Sequence, residues 1–309
     1  MCCLFGLIDT RKLLPGKQKS RLLHALATAA ELRGRDASGI AYNTREKLVI
    51  RKAPVPGHLL QSAVGTDAVA VMGHTRMTTQ GDAKKPETNH PFAGNTPAGP
   101  FALAHNGVLY NDRMLRHALR LPETPIETDS YIAVQLLEKR GALDFSTLRS
   151  MAETVEGSFT FTVLDRQDNL YIVKGDNPFC LLRWPRLGLF LYASTEEILE
   201  LALRKTRFNP KGAVRVPLVS GEILRIDRKG GLTRSTFDDS GFCSGFYSGY
   251  DSYPHSPGFR SLRRRHGQSD TLRDLKAVAH ACGYSPEAID HLAARGFQPE
   301  EIEEFLYQA

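Results

Sequence analysis

Along roughly the first 240 residues, short apolar runs alternate with stretches of helical periodicity. Runs rich in Val, Ile, Leu, Phe and Tyr predict strands over residues 2–8, 38–42, 47–52, 68–74, 101–105, 157–164, 169–174, 187–193 and 221–228. Residues 17–33 instead bring Leu22, Leu26, Ala29 and Leu32 to one face and stop at Gly34, and helices are also predicted over 129–140 and 195–204. So many strands exclude a helical bundle. Because strands also follow one another directly toward residue 240, the pattern predicts a layered α+β domain with mostly antiparallel sheets.

The pattern breaks near Ser240. Residues 240–266 read SGFCSGFYSGYDSYPHSPGFRSLRRRH, dense in Ser, Gly, Tyr and Pro and without a periodicity that a core can use. A linker over 239–268 is the expectation, and its cluster Arg260, Arg263, Arg264, Arg265 and His266 reads as a solvated stretch. Three short helical patterns follow at 271–282, 286–295 and 299–308, with Ser285-Pro286 and Gln298-Pro299 as starts and Gly283 and Gly296 as stops. They predict a small three-helix module over 269–309, the natural candidate for docking a partner protein.

Composition narrows the classes further. At 309 residues with 41% apolar and 24% charged, the chain suits one large or two modest globular domains and excludes collagen, coiled coil and wholesale disorder. The excess of 40 basic over 34 acidic residues is +6 and falls partly in the one Arg run, so it does not call for a nucleic-acid groove. Cys2, Cys3, Cys180, Cys243 and Cys282 are scattered, odd in number and without CxxC spacing, and no HxH or HExxH pair supports a metal, which fits a reducing compartment. The opening MCCLFGLIDTRK has too short an apolar stretch for a signal peptide, and no later segment reaches the apolar length of a membrane span. A cytoplasmic protein without membrane contact is the expectation.

Cys2 is the first candidate for chemistry. A side chain as small as Cys permits removal of the initiator Met, which leaves one residue carrying both a thiol and a free α-amine. The amine, with an ordinary pKa of about 7.7–8.0, is then a base for its own nucleophile, and thiolate is the reactive species. Taken alone, Cys2 reads better as a small apolar residue opening a strand. Three further segments change that balance. RGRDASGIAY, from Arg33, joins a helix stop to a strand. GHTRMTTQG, from Gly73, follows a strand and offers Arg76 as a two-pronged clamp for a carboxylate. AHNGVLYN sets the Asn106 amide beside the unobstructed Gly107 N–H, two donors suited to a developing oxyanion, although Asn-Gly is also a common hairpin turn. In ETDSYIAVQLLE, Asp129 begins a helix, as an N-cap or as a partner for a ligand ammonium.

An N-terminal Cys, RGxDxxG, GHTRxxTxG, HNG and a later TD, in that order, resemble the class II glutamine amidotransferase domain of the N-terminal-nucleophile hydrolases. The glutaminase domains of glucosamine-phosphate synthase and amidophosphoribosyltransferase belong to the same family. The resemblance covers roughly residues 2–235 and implies a four-layer αββα sandwich over 2–238, followed by the small C-terminal helical module. It implies Cys2 as nucleophile, Asn106 and Gly107 as oxyanion hole, Arg76 on the glutamine α-carboxylate and Asp129 on its α-ammonium. Arg33 matches the family's Arg near the amino end, and Thr79 the Thr of the substrate loop. Glutamine is then hydrolysed through a thioester to glutamate and ammonia, with no metal or organic cofactor required. The chain departs from the family at Cys3, where Gly is usual, and at Met77 and Gln80, where glucosamine-phosphate synthase relatives have Trp and His. Residues 240–309 hold no phosphate loop, SGGxDS signature or phosphoribosyl-diphosphate motif, so a separate synthase is expected to take the ammonia. An N-terminal-Cys amidase acting on another amide and a non-catalytic glutamine-sensing scaffold are the alternatives, and Cys2 discriminates among them.

Overall fold

The computed structural model describes residues 2–240 together with Lys276, Ile289, Asp290, Ala293 and Ala294. Contacts divide the chain into two units, 1–250 and 251–309. In the second unit the five described residues are helical, with Lys276 Nζ 2.6 Å from the Asp290 carboxylate. The expected linker and three-helix module otherwise lie outside the described residues.

Within the first unit the described strands form two sheets in which every pairing is antiparallel. One runs in the order β11(Val214–Arg215), β9(Cys180–Trp184), β10(Leu189–Ala193), β1(Cys3–Asp9), β4(Ala70–Arg76), β2(Ala37–Asn43), β3(Leu48–Ala53). The other runs β13(Leu232–Thr236), β12(Glu222–Ile226), β8(Leu170–Lys174), β7(Gly157–Asp165), β6(Gly99–Leu109), β5(Phe92–Thr96). Side chains alternate across a strand, and here the alternation sorts them into three layers. Phe5, Leu7, Ile40, Leu189 and Leu191 pack against helices α1(Gly16–Ala29) and α5(Glu196–Thr206). Phe101, Leu103, Phe159, Phe161 and Val163 pack against α3(Tyr131–Arg140) and α4(Phe145–Thr154). Leu4, Ile8, Ala70, Met72, Ala102, Ala104, Leu164 and Phe190 fill the space between the sheets. The result is the αββα sandwich.

One buried ion pair anchors the first strand to the first helix. Lys19 Nζ lies 3.1 Å from Asp9 Oδ2 and donates to the carbonyls of Thr66 and Ala68 at 2.7 and 2.6 Å, so the sequestered ammonium is fully partnered.

The structure departs from the apolar pattern in ways that matter for the site. β4 ends at Arg76 and β6 at Leu109, later than predicted, so Arg76 and the Asn106-Gly107 pair are strand residues. The Asn-Gly hairpin reading is therefore excluded: Asn106 opposes Thr160 and Gly107 opposes Phe159 in an unbroken ladder. Strands β5, β9, β11 and β13, the helix α2(Asp112–Ala118) and helix α4 stand where no element is predicted. β13 alternates only half-buried and exposed positions and carries no apolar signal. α4 does carry one, with Leu148, Met151 and Ala152 buried and the Asp144 carboxylate accepting the Thr147 N–H at 2.8 Å as its cap.

Candidate active site

Register gathers the site at one end of the space between the sheets. Cys3 opposes Thr75, which sets Cys2 beside Arg76, while Ala37 opposes Arg76 from the other flank and Phe5 opposes Ala193. The face of β4 that carries Ala70 and Met72 also carries His74 and Arg76, and the face of β6 that carries Ala102 and Ala104 also carries Asn106. Thus the intersheet layer is apolar through most of its depth and turns polar where the first sheet begins its central strand. A cleft of about 410 Å³ opens apart from this end, beside Tyr42 and Asn43 at the far end of β2.

Cys2 is half-buried, and its Sγ donates to the Met77 carbonyl at 3.5 Å. Burial pushes its thiol above the ordinary range, opposed by the Met77 hydrogen bond and the Arg76 cation and reinforced by the Asp129 charge. The resting group is therefore a thiol that needs a base. Arg33 Nε donates to the Cys2 carbonyl at 2.9 Å and so holds the nucleophile's main chain. Cys3 is buried on the opposite face, in the helix-covered layer with Phe5 and Leu22. There the second thiol lies against Ser194 rather than on the face that Cys2 presents.

Arg76 is only 2% exposed. Its Nη1 donates to Asn89 Oδ1 at 2.6 Å and to Thr88 Oγ1 at 3.2 Å, and its Nη2 donates to the Gln80 carbonyl. Among the described residues no carboxylate comes within ion-pair distance of it; Asp129, Asp36 and Asp82 act on it from farther away. A cation this deeply buried and held by neutral acceptors is ready for an anionic ligand. Two close approaches shape the surrounding turn. A Cβ on Gly34 would stand 2.5 Å from the Arg76 carbonyl carbon, so the RGRD segment passes directly over the end of β4. Gln80 Nε2 donates to the Glu127 carbonyl at 2.8 Å, tying the 77–81 loop to the segment before α3. Thr79 is exposed on that loop, whereas the neighbouring Thr78 N–H binds Asp36 Oδ2 at 2.7 Å.

Asp129 lies two residues ahead of α3 and is not its cap; Ser130 occupies that position. Its Oδ2 accepts the Leu109 N–H at 2.6 Å and its Oδ1 faces the Ser130 hydroxyl at 3.3 Å, which fixes a buried carboxylate near both Cys2 and Arg76. Asn106 donates from Nδ2 to Ser194 Oγ at 2.5 Å. Gly107 has φ +130°, and a Cβ there would stand 1.8 Å from the Ser158 carbonyl, so only glycine fits.

Three imidazoles back this constellation. His74 and His90 have ring centroids 4.2 Å apart, and His90 and His105 6.4 Å apart. Burial pushes His74 down to about 3, His90 well below its ordinary value and His105 in the same direction, so all three are neutral. Since a carbonyl only accepts, the 2.9 Å contact from His74 Nε2 to the His105 carbonyl makes Nε2 the protonated nitrogen. Among the described residues no His, Cys, Asp and Glu cluster is arranged to hold a metal ion. Nor is any described helix long and apolar enough to cross a membrane.

All seven residues singled out in the sequence gather around this end, with Arg33 on the main chain of Cys2 and Thr79 on the covering loop. Asn89, Thr88, Asp36 and Ser194 join them; Asp36 lies inside the RGRDASG motif and Ser194 in ASTEEIL, a weaker echo of the family, whereas Asn89 and Thr88 sit in no motif.

Residues 74–200 match the family model described as "Glutamine amidotransferase domain". The chain is 29% identical over 194 residues to the glutamine–fructose-6-phosphate aminotransferase (isomerizing) of Lactococcus lactis subsp. lactis, covering 59% of this chain and 30% of that protein. It is 31% identical over 188 residues to the enzyme of the same name from Chlamydia muridarum, covering 59% and 28%. The chain thus spans about a third of the length of these relatives. Among solved structures, the glutamine phosphoribosylpyrophosphate amidotransferase of B. subtilis superposes with a TM-score of 0.59 at 20% identity, covering 77% of this chain and 49% of that one, which establishes the shared fold. With family model, relatives and fold in agreement, the chain carries a class II glutamine amidotransferase domain.

Proposed function

We propose that residues 2–238 hydrolyse the side-chain amide of glutamine through a thioester on Cys2. The observation that carries the reading is the buried, carboxylate-free Arg76 beside Cys2, with the Asp129 carboxylate and the Asn106 amide at the same end of the sandwich. Glutamine presents one anion, one cation and one amide, and these groups complement it: Arg76 takes the α-carboxylate, Asp129 the α-ammonium, Thr79 contributes from the substrate loop, and Arg33 holds the Cys2 main chain against the substrate. Once Met1 is removed, the Cys2 α-amine accepts the thiol proton and the thiolate attacks the amide carbon. Negative charge that develops on the carbonyl oxygen is received by the Asn106 Nδ2–H and the Gly107 N–H. The ammonium formed on Cys2 returns its proton to the leaving nitrogen, ammonia departs, and water, deprotonated by the same amine, releases glutamate. A cysteine thiol is mostly protonated at neutral pH and burial pushes Cys2 further the same way, so the attack calls for a base.

Residues 239–268 serve as linker and 269–309 as a docking module, through which a separate synthase receives the ammonia in a cytoplasmic, reducing setting that keeps Cys2 as thiol. The aminotransferase relatives, named for glutamine, support glutamine as the nitrogen donor. Glutamate release from glutamine by the full chain tests the chemistry. Wild type is expected to turn over and Cys2→Ala to lose at least about a thousandfold in rate; equal rates would refute the assignment. Loss of a co-purifying synthase on deletion of 269–309 tests the docking role.

A further inference from the structure

Ser194 follows β10 directly and stands opposite Leu4, one step beyond the pairing of Phe5 with Ala193. Antiparallel partners of this kind commonly exchange two main-chain hydrogen bonds. Here the Ser194 N–H donates to the Leu4 carbonyl at 2.9 Å, but the Leu4 N–H donates to the Ser194 hydroxyl, also at 2.9 Å. The same Oγ receives Asn106 Nδ2 at 2.5 Å from the second sheet. A hydroxyl oxygen has two lone pairs, and both are engaged: one by the strand that begins beside Cys2, one by the amide of Asn106. Its own proton faces the Leu4 carbonyl at 3.4 Å, and at 1% exposure the group is shielded from competing water.

We propose that Ser194 is a positioning residue for the glutaminase reaction, its hydroxyl locking the orientation of the Asn106 amide and tying it to the strand that carries Cys2. The inference rests on the roles given above to Cys2 and Asn106. Asn has two N–H donors on one planar amide. With one held by Ser194 the plane is set, and the other is the donor left for the substrate's carbonyl oxygen. Asn106 Oδ1 has no hydrogen-bond partner among the described residues. Without the Ser194 hydroxyl the amide is free to turn and present this acceptor where a donor is needed, which opposes a developing negative charge.

Steady-state glutamine hydrolysis by Ser194→Ala, Ser194→Cys and Ser194→Thr tests this, together with the rate at which iodoacetamide alkylates Cys2, a reaction that needs no oxyanion donor. Ser194→Ala is expected to lower kcat by about 10- to 100-fold, with KM and alkylation each within about threefold of wild type. Ser194→Thr, which keeps the hydroxyl, should recover most of kcat. Should Ser194→Ala not fold, Ser194→Cys decides, its poorer acceptor lowering kcat at unchanged alkylation. Wild-type kcat in the Ala or Cys variant, a parallel loss of kcat and alkylation, or a Thr variant as impaired as Ala would each overturn the proposal. A wild-type chain that releases no glutamate would overturn the glutaminase reading itself, whereas an active wild type matched by Ser194→Ala removes only the role of Ser194.

Discussion

Mild acid should destabilise this fold by an amount set by its three buried imidazoles. Burial lowers His74 to about 3 from an ordinary 6.5 and lowers His90 and His105 in the same direction. Between those values the unfolded chain binds protons that the folded chain refuses, so the stability these rings contribute is complete above the unfolded value and is lost as pH falls toward the folded one. At about pH 5.5 an unfolded imidazole is roughly nine-tenths protonated while His74 stays neutral, which costs about 1.4 kcal/mol relative to about pH 7.5. His90 and His105, lowered in the same direction, add to that cost, which stands against the roughly 5–15 kcal/mol typical of a folded domain. For a domain of this size the His74 contribution by itself corresponds to a melting point lower by about 3–6 °C. Asp165 and Asp168, raised by burial, act in the opposite sense. Calorimetric scans from about pH 7.5 to about 5.5 read the effect, and His90→Phe, which keeps the ring contacts with His74 and Phe92, should flatten the profile. A melting point constant to within about 2 °C over that interval would show that the imidazoles are not sequestered and refute the reasoning.

Other perturbations separate geometry from chemistry. Gly107→Ala forces a Cβ against the Ser158 carbonyl, so it should cost more than about 3 kcal/mol by denaturant titration and abolish glutamine turnover; Gly212→Ala, also at positive φ but with nothing within 4 Å, should cost only about 1 kcal/mol. Arg76→Lys keeps the charge but cannot reproduce the fork that engages Asn89, Thr88 and Gln80, so KM for glutamine should rise at least about tenfold while kcat falls less; an unchanged KM would remove Arg76 from carboxylate binding. Cys3→Ala should cost about 1 kcal/mol in stability and leave glutamine hydrolysis within about twofold, since its thiol sits in the helix-covered layer; a large loss of rate would show that the second thiol reaches the site.

Order along the chain made much of this protein legible. A Cys after the initiator Met, followed by RGRD, GHTR, HNG and TD, points to one chemistry because each motif supplies a group that glutamine needs, and the apolar runs of β1, β2, β4, β6, β7, β8, β10 and β12 predict the strands that carry them. These signals are local. They depend on the alternation of a strand or on the company a residue keeps within about ten positions. Where locality failed, the reading failed with it. Arg76 and Asn106 looked like loop residues because glycine and polar neighbours mask a strand whose partners lie elsewhere in the chain, and β13 is held by pairing with β12 rather than by any apolar face. Only the assembled sandwich could decide what restrains each group: Asn89 and Thr88 on Arg76, the Leu109 N–H on Asp129, and Ser194, 190 residues from Leu4 and 88 from Asn106, between the two sheets. A side chain's identity states which hydrogen bonds it can make. Which ones it does make follows from register and layer packing, since those bring distant donors and acceptors together and close water out.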